Sequence, residues 1–169
     1  MGLILKDKLQ ALMKGYPTVS DKYDVRGATL SAASATGHFG DLVKADGNGF
    51  FTVVTATNTV TKATDVAGVL LATNVKLVTD FFGGSSAEAL TRPGEAFNLC
   101  FKGFVALELK ADTVLTTIKE GLQVGLTADG KAELSTVAGA VVMPWFFTGV
   151  TETDEQGRLL AEVKILENK

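Results

Sequence analysis

One histidine and one cysteine limit what side-chain chemistry this 169-residue sequence can offer. His38 is the base that any Ser-His-Asp or Cys-His arrangement would have to use, yet it stands ahead of a glycine-flanked strand with no serine in a nucleophile-elbow context. It reads as a surface or loop histidine. Cys100 lies between Leu99 and Phe101 in strand-like text, a place for a small buried hydrophobe rather than a nucleophile. Being single, it excludes an intramolecular disulfide and any multi-cysteine metal site. Oxygen ligands remain, and Asp46-Gly47-Asn48-Gly49 and Asp129-Gly130 faintly suggest calcium loops. Neither has the spaced acidic ligands and distal glutamate that an EF-hand needs, so both read as turns. Gly83-Gly84-Ser85-Ser86 lacks the following lysine and helix of a phosphate-binding loop. The inventory predicts no catalytic residue, no cofactor and no metal.

Composition bounds the partners. Sixteen basic residues against nineteen acidic give a formal charge of −3, and the signs are mixed along the chain. No electrostatic footprint for nucleic acid or an anionic membrane results. Apolar residues make up 46% of the chain but fall in short runs, none near the roughly 18 residues of a bilayer span, and Met1 to Gly15 has lysines inside its apolar run. The expectation is a soluble, unexported chain whose partners are proteins.

The elements that must position these residues are strands. Arg92 to Leu109 opens on a Pro-Gly turn and continues through a long apolar run broken once by Lys102-Gly103, which predicts two strands or one kinked strand. Its alternation puts Leu99, Phe101, Gly103, Val105, Leu107 and Leu109 on an inward face, with Cys100, Lys102, Phe104, Ala106, Glu108 and Lys110 opposite. Hairpins are predicted around Asp46–Gly49 and Asp129-Gly130, where Gly and Asn accept positive φ. Val66 to Thr73 predicts a buried strand, and Arg158 to Leu166 a closing strand after an Asp154–Gly157 turn. Pro144 predicts a strand edge or start, since it cannot donate to a ladder. Ala111 to Glu120 is one helical turn or a loop, with Asp112 as a possible cap. Glycine precedes the strands at Gly40, Gly94 and Gly121. Without helix–strand alternation, the fold class is all-β, a small β-barrel or β-sandwich.

Ahead of the β text, Gly2 to Gly15 predicts an amphipathic arm, with Leu5, Leu9, Leu12 and Met13 on one side and Lys6, Asp7, Lys8 and Gln10 on the other. Thr29 to Gly37, small and polar, reads as a flexible connection, giving an arm and linker over 1–37 and a β-domain over 38–169. The arm docks on its own domain or reaches a neighbouring subunit. Phe81 and Phe82 precede a Gly/Ser-rich loop; they tuck into the domain or meet a partner. Leu5, Leu9, Leu12, Met13, Phe81 and Phe82 are therefore the candidate contact residues.

The runs GDLVKADGNGFFTVVTA, AGVLLA, RPGEAFNLCFKGFVALEL, IKEGLQVGLTADGKAEL and FFTGVTETDEQGRLLAEVKIL, over about residues 38 to 167, together resemble the small capsid decoration, or cement, proteins of tailed bacteriophages. The matching positions are Gly94-Glu95, Gly103-Phe104-Val105, Gly121 to Gly130 and Arg158 to Ile165. The resemblance implies a β-tulip-like domain, made in the host cytoplasm; the helical arm and the Phe81-Phe82 loop depart from the family's pattern. The resemblance also implies binding to the major capsid protein on the outer surface of the head, bracing neighbouring capsomers as a homo-oligomer, a trimer or a dimer. Two other readings stay open: a tail-tube or other virion subunit, and a carbohydrate-binding β-sandwich with Trp145, Phe146 and Phe147 as its aromatic platform.

Overall fold

A computed structural model describes residues 24–71, 90–154 and 156–167. These form eleven strands: β1 (Asp24–Thr29), β2 (Gly37–His38), β3 (Leu42–Ala45), β4 (Phe51–Val53), β5 (Val66–Leu71), β6 (Leu90–Thr91), β7 (Ala96–Glu108), β8 (Gln123–Leu126), β9 (Ala132–Leu134), β10 (Val141–Thr153) and β11 (Leu159–Ile165). Helical structure among them is confined to 3-10 turns at Ala63–Asp65 and Leu115–Thr117. The described residues are all-β, as the patterning predicts. Residues 1–23, which hold the predicted arm, lie outside the described residues.

Nine strands join one antiparallel sheet in the order β4-β3-β5-β7-β11-β10-β8-β9, with β1 also on β7, while β2 and β6 pair separately. The sheet curls at both ends. On one side Leu30, just after β1, makes a parallel bridge to Phe51 of β4, and the Ser31 N–H donates to the Phe51 carbonyl at 2.8 Å. On the other, Leu109, just after β7, bridges Ala132 of β9, and the Lys110 N–H donates to the Ala132 carbonyl at 2.9 Å. Two curled halves thus share β7.

The long strand explains how. Its first part pairs with β1 (Asp24↔Lys102 to Thr29↔Ala96) and β5 (Val69↔Cys100 to Leu71↔Asn98), and from Gly103 onward it pairs with β11 (Ile165↔Gly103 to Leu160↔Glu108). Facing changes at the same point. Phe97 and Leu99 pack with Leu30, Val43, Val53 and Leu70 in a smaller core, whereas Cys100, Val105, Leu107 and Leu109 belong to the main core with Trp145, Phe147 and Val163. An uninterrupted strand would keep odd-numbered residues on one side; here the parity switches between Cys100 and Val105. Gly103, with φ +143°, supplies a backbone conformation that side-chain-bearing residues rarely adopt. The prediction of one kinked strand holds, but its single inward face is corrected. Phe101, expected inward, lies partly exposed under the Arg26 guanidinium, 4.1 Å from the ring centroid.

Burial on both faces extends to the neighbours of β7. Leu42, Val69 and Leu71 enter the main core, while Val43 and Leu70 enter the smaller one. Strands covered on both faces read as continuous apolar runs, which is the text of Val66–Leu71. Gly68 sits where a Cβ would collide with the Cys100 carbonyl oxygen, so glycine is what lets β5 approach β7.

Two further expectations are corrected. Residues 24–37 are bound into the sheet rather than acting as a loose connection. Asp24–Thr29 is a full strand, Leu30 is completely buried, and the buried Ser34 hydroxyl accepts the Val53 N–H at 3.0 Å. Pro144 is neither at an edge nor at a strand start, because β10 lies between β8 and β11. It is tolerated because the β8 ladder shifts register between Val142 and Phe146, and the β11 ladder begins only at Phe146↔Lys164. Neither ladder pairs Pro144.

The turns follow their residues. Gly40, Gly94 and Gly121 all have φ near +80° just ahead of β3, β7 and β8. At the β10–β11 turn the Asp154 carboxylate accepts the Gln156 and Arg158 N–H groups at 3.0 and 2.9 Å and the Arg158 Nε–H at 2.7 Å. Burial pushes this carboxyl up, but the bonds and charge from Arg158 outweigh it and hold the pKa below its ordinary value. Asp112 caps nothing: the 3-10 turn is preceded by Val114, and Asp112 sits 3.4 Å from Lys110.

Candidate interaction surface

The residues able to do chemistry are occupied structurally. His38 is partly exposed in β2, its Nδ1 3.4 Å from Asp41 Oδ2, and that same oxygen accepts the His38 N–H at 2.8 Å. Cys100 is buried in the main core, and burial pushes its thiol up to about 11. The Asp46 Oδ1 accepts the Asn48 and Phe50 N–H groups at 2.8 and 3.1 Å, and Asp129 Oδ1 accepts the Thr127 hydroxyl at 2.6 Å. Both carboxylates serve their turns. Among the described residues no three His, Cys, Asp or Glu side chains gather as metal ligands would. A cleft between Gly40–Leu42, Leu107–Glu108 and Asp129–Lys131 offers about 20 Å³, room for a water and no more.

Apolar surface is better developed. Of seven large hydrophobic residues exposed among those described, Val142, Phe146 and Val150 lie on β10, and Val137 lies in the turn that leads into it. Alternation along β10 turns Met143, Trp145 and Phe147 into the main core, leaving Val142, Pro144 and Phe146 on the outer side. Phe146 registers with Lys164 on β11, and Lys164 registers with Phe104 on β7. The result is a row across three strands, with the Lys164 ammonium 6.0 Å from the Phe104 ring centroid. Beside it, where Pro144 interrupts both ladders, an open groove of about 510 Å³ is lined by Ala63, Thr64, Gln123, Val142, Met143, Pro144 and Glu167.

Two predicted candidates on this strand are corrected. Trp145 and Phe147 are each 1% exposed, and the Trp145 indole Nε1–H donates to the Leu166 carbonyl at 2.9 Å. Only Phe146 reaches solvent, so the three aromatics form no platform for a sugar. Leu5, Leu9, Leu12, Met13, Phe81 and Phe82 all lie outside the described residues, and the structure brings none of them to a site. The exposed strip itself was missed. Its signal was the alternation Val142, Pro144, Phe146, recognisable only once Pro144 is placed inside a strand.

No family model matches the chain and no curated protein matches it. Among solved structures, a chain from "The capsid of Myoviridae Phage XM1" is similar, with a TM-score of 0.61 at 15% sequence identity over 92% of this chain and 90% of that one. At that identity the likeness establishes a shared fold.

Proposed function

We propose that this protein is a non-enzymatic structural component of a tailed-phage virion, and more closely a decoration protein that binds the outside of the assembled head and braces neighbouring capsomers. The observation that carries the reading is the fold likeness to a chain of a phage capsid over nine-tenths of both chains. The sequence resemblance to decoration proteins points the same way, as does an exposed apolar strip on β10 in a chain whose single histidine and cysteine are taken up structurally. Its partner is the major capsid protein. Assembly as a trimer or dimer would let weak contacts act together, since the second and third subunits dock at high effective concentration.

Co-sedimentation of the purified protein with undecorated expanded heads tests this. The expected result is saturable binding at a fixed ratio to the major capsid protein. Failure to bind, together with self-assembly into rings or tubes, would replace the reading with that of a tail subunit.

A further inference from the structure

Hydrogen bonding at the β3–β4 turn ties every neighbour of one reactive pair and leaves the pair itself untied. Asp46 Oδ1 accepts the Asn48 and Phe50 N–H groups at 2.8 and 3.1 Å, and the Asp46 N–H donates to the Phe50 carbonyl at 2.9 Å. Between those donors, the Gly49 N–H bonds to no described residue, and neither does the Asn48 side-chain amide. Both residues are exposed. Beyond its chain neighbours, no heavy atom lies within 4 Å of the place a Cβ would take on Gly49, and glycine itself puts no side chain beside its nitrogen.

The other asparagines among the described residues are held. Asn58 donates its amide Nδ2–H groups to Thr52 Oγ1 at 3.0 Å and to the Val53 carbonyl at 2.7 Å. Asn98 is followed by the branched, buried Leu99, and both are registered with β1 and β5. Even at the comparable Asp129-Gly130 turn the glycine nitrogen is engaged, its N–H donating to the Thr127 carbonyl at 2.9 Å. Asn48-Gly49 alone combines an amide and a following nitrogen that are both free to react. We propose that Asn48 is a site of spontaneous deamidation in the folded chain. The Gly49 nitrogen attacks Asn48 Cγ and forms a C–N bond, the amide group leaves as ammonia with the Gly49 proton, and a cyclic imide closes. Water adds at either imide carbonyl and opens the ring to aspartate or to isoaspartate. Water is the sole co-reactant, and base speeds closure by removing the Gly49 proton. The product carries a carboxylate two residues from Asp46, and in isoaspartate the backbone runs through Cβ and Cγ and is one atom longer. That spoils the spacing at which Asp46 Oδ1 takes both N–H groups, in the turn that sets the β3–β4 register as far as Phe51, the residue on which Leu30 closes the smaller half. The inference is independent of any role in a virion.

The test holds the purified full chain at pH 8, native and in urea, and digests it at low pH. Peptide masses report amide-to-acid conversion at each asparagine, and an isoaspartyl methyltransferase reports the isomer. In the native chain, conversion at residue 48 is expected to be at least about tenfold faster than at Asn58 or Asn98, within about tenfold of its own rate in urea, and faster at pH 9 than at pH 7. Asn48→Gln, whose longer side chain closes a ring far more slowly, should abolish the signal and leave the urea midpoint unchanged. A native rate at residue 48 more than about tenfold below its rate in urea would show that the turn protects the amide and would overturn the proposal. So would a native rate that fails to exceed those of Asn58 and Asn98 by the stated margin.

Discussion

Lys131 and Glu108 meet across the seam where the curled sheet returns to its own long strand, with Nζ and Oε2 2.7 Å apart. The pair has a reciprocal neighbour. Lys110 stands 3.8 Å from Glu133, so Glu108-Leu109-Lys110 runs beside Lys131-Ala132-Glu133 with opposite charges matched on both sides of the Leu109–Ala132 bridge. Lys131→Glu places like charges across the seam and is expected to lower stability by about 0.5–1 kcal/mol. The double variant Glu108→Lys, Lys131→Glu should recover most of that. Urea midpoints of the two singles and the double decide, and the differences should shrink in 1 M salt.

Trp145 is expected to be the most costly single truncation in the main core. Its removal opens a cavity among fully buried neighbours and leaves the Leu166 carbonyl without its indole donor. Trp145→Ala should cost roughly 3–5 kcal/mol, and Trp145→Phe about 1 kcal/mol from the lost hydrogen bond. As the only tryptophan, it also reports on itself, since its emission should be blue-shifted in the folded chain and move red in the same urea transition that circular dichroism follows.

Gly68 and Gly103 are expected to resist replacement for different reasons. At Gly68 a methyl group meets the Cys100 backbone, which has to move; Gly68→Ala should cost about 1–3 kcal/mol or more. At Gly103 the obstacle is the +143° φ, and Gly103→Ala should cost about 1–3 kcal/mol in backbone strain. Equilibrium unfolding of both variants measures this; an alanine at either position that leaves the midpoint unchanged contradicts the tight β5–β7 approach or the switch in β7.

Cys100 makes the fold sensitive to alkali. Its pKa is near 9 in the unfolded chain and about 11 in the folded one. Between these values the unfolded chain has released a proton that the folded chain retains, so stability falls as pH rises. The loss begins near pH 9 and is complete above pH 11. Cys100→Ala, which removes the titration, should flatten the decline, as denaturant midpoints at pH 8, 9 and 10 would show. Iodoacetamide at pH 8 should react with the native thiol far more slowly than with the urea-unfolded chain.

The hairpins were legible because their turns need particular residues: Asp46–Gly49 and Asp129-Gly130 lie where the chain reverses between β3 and β4 and between β8 and β9. The strand between Leu159 and Ile165 announced itself by alternation. Other parts were hidden for physical reasons. Asp24–Thr29 offers little apolar text because β1 is held mainly by its ladder to β7, with three of its six residues exposed. Facing along β7 could not be inferred because an alternation rule assumes one core, and this strand serves two. Phe146 was grouped with Trp145 and Phe147 by sequence adjacency, although adjacent strand residues point to opposite faces.

Sharing one strand between two curled halves also governs the order in which the molecule can be completed. During synthesis the first part of β7 finds β1 and β5 already made, whereas the part from Gly103 to Glu108 must wait for β11, emerging from the ribosome after β8, β9 and β10. Until then an apolar strand edge stands open to other chains. Closure of the second half therefore comes after that of the first and rests on pairings distant in sequence, which form slowly, and the nascent chain is most prone to aggregate in the interval between β7 and β11.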